Sequence, residues 1–127
     1  MLPSDTAARI APLALAIVNA RVWTRDPRRP WADAVLLRGD RIVAVGSSAE
    51  LRKRGGASTT VIDAGGRLVV PRTPTGRLAP DEPADLAIVD HLADPDAVSS
   101  VAERDLILVV EHGRLILDRD GLVAERR

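Results

Sequence analysis

The sequence has 127 residues, of which 46% are apolar and none is cysteine. It therefore predicts one globular domain with a largely aliphatic core, and it excludes disulfide bonds and thiolate chemistry. Its 18 basic and 18 acidic residues balance, and Trp23 and Trp31 are its only Phe, Tyr or Trp side chains. This composition argues against a nucleic-acid or membrane partner. The chain is also far shorter than a catalytic (β/α)8 barrel, which needs roughly 250 residues.

The first predicted feature is a leader. We expect residues 1–12 to be a disordered or frayed leader before the first strand. The apolar run at 11–18 is too short to span a bilayer and no signal-peptide cleavage pattern follows it, so the run is interpreted as the first strand and not as a targeting segment. The absence of cysteine fits a cytoplasmic protein.

The rest of the chain shows the short β-type runs and turn residues of an all-β protein. Gly39-Asp40 is a tight-turn pair for one hairpin, and Glu111-His112-Gly113 forms the turn of another. Ser47 or Ser48 can cap a short helix that Gly55-Gly56 closes. Eight or so strands with one or two short helices predict a β-sandwich. We predict strands at 13–18, 21–23, 32–37, 41–45, 59–63, 67–70, 84–89, 106–110 and 114–117, a helix at 49–54, a helical turn at 98–103, and further turns at 94–96 and 120–121, the last leading into 122–124.

A proline-rich segment divides this pattern. Pro71, Pro74, Pro80 and Pro83 lie between the strands predicted at 67–70 and 84–89. No helix and no central strand accommodates such a segment, so we predict an irregular connection.

Pieces on both sides of this segment resemble one enzyme family, the metal-dependent amidohydrolases. The likeness is to the branch that includes the YtcJ-like and N-substituted formamide deformylase-like enzymes. Each piece is a weak signal alone, but their order and spacing are specific. The pieces are 17–22, Thr24 with Asp26, 30–34, 41–46, 61–63, 66–67, 84–90 and 112–116.

The resemblance implies a composite domain. In that family both chain ends build a small β-sandwich, and the catalytic barrel is inserted after the proline that matches Pro71. Here the closing segment follows almost at once, so the barrel is missing. The resemblance thus divides a single domain at 13–127 into an N-terminal segment (about 13–71) and a C-terminal segment (about 76–124), joined at 72–75.

The resemblance also implies a chemistry that this chain lacks. The family hydrolyses C–N bonds other than peptide bonds, with one or two divalent metals, typically zinc, held by barrel residues. None of those ligands has a matching position here. We therefore predict no catalytic, cofactor-binding or metal-binding residue, and an inactive chain.

Residues that could build a new site have simpler interpretations. His91 and His112 are two ligands where zinc needs three or four, and both fall at predicted turns. Asp63, Asp85 and Asp90 are expected to cap turns or pair with arginine. The same holds for the remaining candidates: Ser99-Ser100 lacks a nucleophile motif, Trp31 is expected to pack at the sandwich edge, and 52–54 is expected to be a solvated helix end.

Three functions stay open at this point. The first is an inactive accessory domain, and the second is a non-catalytic β-sandwich that binds a protein or a small ligand. The third is a residual enzyme that uses His91 or His112. We also expect a homo-oligomer through the former barrel-facing surface, since removing the barrel would expose apolar residues.

Overall fold

The computed structural model describes residues 14–56, 59–73, 76–90 and 105–119. Several predicted features lie outside them: the leader at 1–12, His91, Ser99-Ser100, the turns at 94–96 and 120–121, the helical turn at 98–103 and the run at 122–124. The described residues form ten strands and one helix. These are β1 (Ala14–Val18), β2 (Arg21–Trp23), β3 (Trp31–Ala32), β4 (Ala34–Arg38), β5 (Arg41–Gly46), α1 (Ser48–Gly55), β6 (Thr60–Asp63), β7 (Leu68–Pro71), β8 (Leu86–Val89), β9 (Leu106–Glu111) and β10 (Arg114–Asp118).

The strands form two sheets. The four-stranded sheet has the order β5-β4-β1-β6 and comes entirely from the N-terminal segment. The six-stranded sheet has the order β10-β9-β8-β7-β2-β3 and combines both segments. The segments join where β7 pairs antiparallel with β8, from Leu68 opposite Val89 to Pro71 opposite Leu86.

The main core lies between the sheets and contains aliphatic residues of both. Leu15, Ile17 and Leu37 of the four-stranded sheet belong to one buried cluster with Leu86 and Ile88 of the six-stranded sheet. Each such side chain is fully buried and contributes about 1.5–3 kcal/mol by leaving water. Two packed sheets and a single described helix confirm the predicted β-sandwich.

The helix covers the other face of the four-stranded sheet. Ser47 caps it, accepting a hydrogen bond at its hydroxyl from the Glu50 backbone N–H at 3.2 Å. Leu51 is fully buried against Val18 and Leu36 of the sheet. At eight residues, the helix is stabilised mainly by this packing. No described helix has the length and apolar character needed to cross a membrane.

Apart from shifts of one or two residues at the ends of elements, two details differ from the sequence prediction. The strand expected at 32–37 is divided at Asp33, where the chain crosses from the six-stranded to the four-stranded sheet. Asp33 joins the sheets through its backbone, since its N–H donates to Gly46 and its carbonyl accepts from Ala20. Pro71, expected in the irregular connection, ends a central strand instead. On β7, β2 pairs only with Leu68 and Val69, so the missing N–H of Pro71 leaves no gap in the β2–β7 ladder.

Candidate functional site

The candidate site is the end of the sandwich where the two segments join. β7 ends there at Pro71 and β8 begins there at Leu86. The residues from 72 to 85 connect the two strands, and positions 74–75 lie outside the described part of this connection. By the resemblance, this is where the family carries its barrel. The residues at this end decide whether the junction has any chemistry of its own.

Arg25 fastens the connection to the N-terminal segment. Its guanidinium Nη1 donates to the carbonyl of Thr73 at 2.6 Å and to that of Gly76 at 3.1 Å. Arg25 has a φ of 62°, a backbone conformation that is uncommon for residues other than glycine. The guanidinium also lies 5.0 Å from the ring centroid of Trp23, within cation–π range. One side chain thus holds backbone on both sides of positions 74–75.

The neighbouring Thr24 anchors the same connection through its backbone. Its carbonyl accepts a hydrogen bond from the Leu78 N–H at 2.8 Å. Thr24 is the one buried polar residue of the described chain. Its hydroxyl donates to the Arg29 carbonyl and accepts from the Asp26 N–H. The hydroxyl of Thr24 is therefore satisfied both as a donor and as an acceptor, although the residue is buried.

Ile42 of β5 ties the next part of the connection to the four-stranded sheet. Its N–H donates to Glu82 and its carbonyl accepts from Asp81, each at 2.8 Å. Asp81 has a φ of 72°, as a tight turn requires. A bridge between Arg41 and Pro83 continues this pairing. This part of the connection thus covers part of the edge of β5.

Two hairpin turns, one from each sheet, meet beside the junction. Ala84 joins them, since its N–H donates to the Asp40 carbonyl at 2.9 Å and its carbonyl accepts from the Gly113 N–H at 3.1 Å. The turns approach so closely that a Cβ atom at Gly113 would lie 2.0 Å from the Gly39 carbonyl oxygen. Only glycine fits at position 113.

Four charged or titratable side chains surround an open depression of about 250 Å³ at this end. Arg72 lies 3.5 Å from Glu111 in an ion pair. Asp85 accepts a hydrogen bond from the His112 backbone N–H at 2.6 Å, and its carboxylate is 4.0 Å from the His112 ring. The His112 side chain is 77% exposed whereas that of Asp85 is 12% exposed. The imidazole therefore projects into water, while Asp85 shapes the turn.

These residues do not fit the metal that the family uses. Across the residues that the structure describes, no group of three or more His, Asp or Glu side chains is placed to hold a metal ion. His112 and Asp85 provide at most two donors, and zinc binds three or four that converge on one point. We therefore derive no metal-assisted step for this end of the molecule.

The other candidates lie apart from the junction. Asp63 accepts hydrogen bonds from the Gly65 N–H at 2.8 Å and the Asn19 amide at 3.1 Å, and Asp90 lies 3.6 Å from Arg67. Both thus take the turn-capping and arginine-pairing roles expected from sequence. Two hydrogen bonds lower the pKa of Asp63. The larger effect comes from the backbone N–H of Gly65 and the smaller one from the side-chain amide of Asn19.

Trp31 is less covered than an edge-packing residue was expected to be. Its side chain is 44% exposed, and the guanidinium of Arg21 lies 5.2 Å from its ring centroid. Trp31 pairs with Trp23 across β2 and β3. Trp31 therefore lies on the sheet edge as predicted. Its ring is partly exposed to water and is in contact with the guanidinium of Arg21.

Sequence reasoning missed the residues that close the junction. No local pattern marks Arg25, whose partners lie 48 and 51 positions away along the chain. The local sequence around Ala84 does not predict that this residue joins two turns. A signal existed only for Gly113, because a glycine after a polar residue in a predicted hairpin turn indicates positive φ.

Parts of this chain are similar to known proteins. Residues 34–54, which cover β4, β5 and most of α1, match the model of the bacterial imidazolonepropionase-like composite domain. Over 57 residues, 45% of this chain, the sequence is 44% identical to an N-substituted formamide deformylase from Arthrobacter pascens. The match spans 10% of that protein's length.

Two solved structures are also similar over 46% of this chain. They are uncharacterized metal-dependent hydrolases from Pyrococcus furiosus (23% identity, 13% of that chain, TM-score 0.42) and Pyrococcus horikoshii (16% identity, 12% of that chain, TM-score 0.39). The matches to the composite-domain model and to the deformylase confirm the resemblance to the composite domain of the metal-dependent amidohydrolases.

Proposed function

We propose that this chain is the accessory β-sandwich of a metal-dependent amidohydrolase, that its catalytic barrel has been deleted, and that it is inactive alone. The parent activity is the hydrolysis of C–N bonds other than peptide bonds, in the class of the matching formamide deformylase. The proposed cellular location of the chain is the cytoplasm, which the absence of cysteine favours.

The observation that carries this proposal is the pairing of Pro71 with Leu86. These residues flank the place where the family inserts its barrel, and they are direct partners in adjacent antiparallel strands. Such partners have Cα atoms about 4.5–5.5 Å apart. A sandwich that once carried a large insertion at this point can therefore close with a short connection, keeping both sheets.

Within the ranges that the structure describes, no three donors converge on one point, which supports the proposed inactivity. The family's chemistry depends on a metal that activates water, and a metal site needs three or more ligands around one point. His112 is mostly exposed and has Asp85 as its carboxylate neighbour at 4.0 Å. A general base must reach the proton that it removes within about 3 Å, and the described residues that line the depression with His112 are Arg72, Thr73, Asp85 and Glu111, of which Arg72 and Glu111 pair with each other.

The first experiment measures metal content and hydrolysis with the full chain. After incubation with zinc and dialysis, we expect less than about 0.1 equivalent of bound metal by mass spectrometry, and no release of formate from an N-substituted formamide above the buffer rate. The His112→Ala variant should be indistinguishable from the wild type. Stoichiometric zinc, or turnover that disappears in the His91→Ala/His112→Ala double variant, would instead establish a residual enzyme.

The second experiment addresses the deletion itself. Sequencing the source locus shows whether several hundred residues are encoded between the codons for Pro71 and Gly76. An interrupted or truncated reading frame at that place supports a deletion. A locus whose relatives all continue directly from Pro71 into Gly76 contradicts it and favours a binding module with its own history.

A further inference from the structure

A second depression on the sandwich has a different lining from the one at the junction. It is open to solvent, has a volume of about 400 Å³ and shares no described lining residue with the depression beside His112. Three parts of the chain form it: the loop 24–30 between β2 and β3, the strand β5, and the connection at 78–80. We call it the arginine depression, because Arg28 and Arg29 of the loop line it.

One side of the arginine depression is apolar. Val45 of β5 lines it together with Leu78, Ala79 and Pro80 of the connection. Leu78 and Ala79 are buried. The backbone of both is held, since the Leu78 N–H donates to the Thr24 carbonyl at 2.8 Å and the Ala79 carbonyl accepts a hydrogen bond at 3.1 Å. This side therefore offers a fixed apolar surface on which a ligand can leave water.

The other side carries an excess of positive charge. Asp26 is the one acidic residue among the described residues of the lining, and its carboxylate is already occupied. It accepts a hydrogen bond from the Arg28 N–H at 3.0 Å and lies 3.5 Å from the Arg28 guanidinium. Arg29 makes no ion pair with any residue that the structure describes. Its guanidinium is therefore available to an anion from outside the chain.

The loop that carries the arginines is held by its own hydrogen bonds. The Thr24 N–H donates to the Pro30 carbonyl at 3.0 Å, and the Arg29 N–H donates to the Asp26 carbonyl at 2.9 Å. The buried Thr24 hydroxyl donates to the Arg29 carbonyl. Both backbone groups of Arg29 are thus fixed in the chain without a ligand. A site that is ordered in advance loses less conformational entropy on binding.

We propose that the arginine depression binds a small organic monoanion, namely a carboxylate attached to a compact apolar group. The carboxylate pairs with the guanidinium of Arg29, whose planar fork of donors matches the two carboxylate oxygens. One unpaired guanidinium matches one negative charge. The apolar group covers Val45 and Ala79, and the volume of the depression is in the range of small-molecule sites.

Both parts of the ligand are needed for measurable binding. An ion pair that is exposed to water contributes little by itself, because the charges are screened and the side chains must be ordered. Burial of the apolar group adds an amount that grows with the area removed from water. This inference goes beyond the accessory-domain function, which neither requires nor excludes a ligand at this position.

NMR titration of the full, nitrogen-15-labelled chain with sodium hexanoate tests the proposal. At constant ionic strength and up to about 20 mM ligand, we expect saturable shifts of the backbone amides of Arg29, Val45 and Ala79. Hexanamide has the apolar group without the charge, and acetate has the charge without the apolar group. Each should bind at least about tenfold more weakly than hexanoate.

Two variants with the same change of charge show whether Arg29 holds the anion. Arg29→Gln should weaken hexanoate binding at least about fivefold, because it removes the charged fork. Arg54→Gln is the matched control. It removes a positive charge from the exposed end of α1, which does not line the depression, and should leave the dissociation constant unchanged. The spectrum of each variant verifies that it is folded before its binding is interpreted.

Three results would overturn the proposal. The first is the absence of saturable shifts at the arginine depression. The second is hexanamide or acetate binding as tightly as hexanoate, and the third is an Arg29→Gln variant that binds like the wild type. None of them bears on the accessory-domain function, because that is tested by metal content, hydrolysis and the source locus.

Discussion

Pro71 and Leu86 lie opposite each other as paired residues of β7 and β8, although the connection between them runs from 72 to 85. The two ends of this connection are therefore adjacent in space, whatever the length of chain between them. The entropy of closing a loop grows only with the logarithm of its length. A barrel-sized insertion and the present short connection thus satisfy the same geometric requirement, and the sandwich need not change to accept either.

Lengthening the connection should consequently be tolerated. We predict that a Gly/Ser insertion after Thr73, about as long as the connection itself, lowers the free energy of unfolding by about 1–2 kcal/mol. Doubling the loop accounts for about 0.6 kcal/mol, and loss of one Arg25 hydrogen bond accounts for about 1 kcal/mol. Urea denaturation followed by circular dichroism measures the change.

The matched control is the same insertion between His112 and Gly113. There it separates the hydrogen bonds that the two residues donate to Asp85 and Ala84 and disturbs the β9–β10 register. We expect a loss at least twice as large. Equal losses at the two positions would contradict the view that the junction is adapted to variable length.

Arg25 should be more important than its surface position suggests. We predict that Arg25→Ala lowers the free energy of unfolding by about 1–2 kcal/mol, because the carbonyls of Thr73 and Gly76 lose a charged donor. Arg25→Lys should have an intermediate effect, since an ammonium group lacks the planar fork. Arg28→Ala is the control, because that side chain is 87% exposed and only ion-paired at 3.5 Å. It should cause little change.

Much of the architecture could be predicted from the sequence because it is encoded locally or by family likeness. Gly39 and Gly113 mark the hairpin turns by residue type alone, and both have positive φ. The resemblance supplies the expectation that the two segments share one sandwich. The contacts that close the junction could not be predicted in this way. A positive φ at Arg25 and a sheet crossing at Asp33 depend on partners distant in sequence, and propensity describes only neighbours.

The acid stability of the fold should depend on Asp63. Its pKa lies below the ordinary value of 3.8 because the ionised carboxylate accepts hydrogen bonds from Gly65 and then Asn19. A lowered folded-state pKa adds stability that is present above the unfolded-state value and is lost as the pH falls through the folded-state value. Asn19→Gly removes the side-chain donor yet suits the φ of 54° at that position. We predict that this variant raises the pKa of Asp63 toward its ordinary value.

Carbon-13 NMR titration of the aspartate carboxyl groups between pH 2 and 6 checks this directly. Asp26 provides the internal control, because its pKa is lowered chiefly by the backbone hydrogen bond from Arg28, which the substitution does not touch. Only the Asp63 curve should move. An unchanged Asp63 titration would mean that the Asn19 amide does not hold the carboxylate in solution.

The contact between the two hairpin turns yields the most demanding prediction, because two glycines of like conformation separate its causes. Gly113 and Gly66 both have positive φ, 77° and 84°, so alanine at either position carries a similar conformational cost of about 1–2 kcal/mol. A Cβ atom at Gly66 meets nothing within 4 Å, whereas at Gly113 it lies 2.0 Å from the Gly39 oxygen and 2.6 Å from its carbonyl carbon. That obstacle is backbone and cannot rotate away.

Gly113→Ala must therefore force the turns of the two sheets apart and strain the hydrogen bonds of Ala84 that join them. We predict that it lowers the free energy of unfolding by at least about 2 kcal/mol more than Gly66→Ala in urea denaturation. Equal effects would show that the turns are not in contact in solution, and the two sheets would then be held together at this end by the aliphatic core alone.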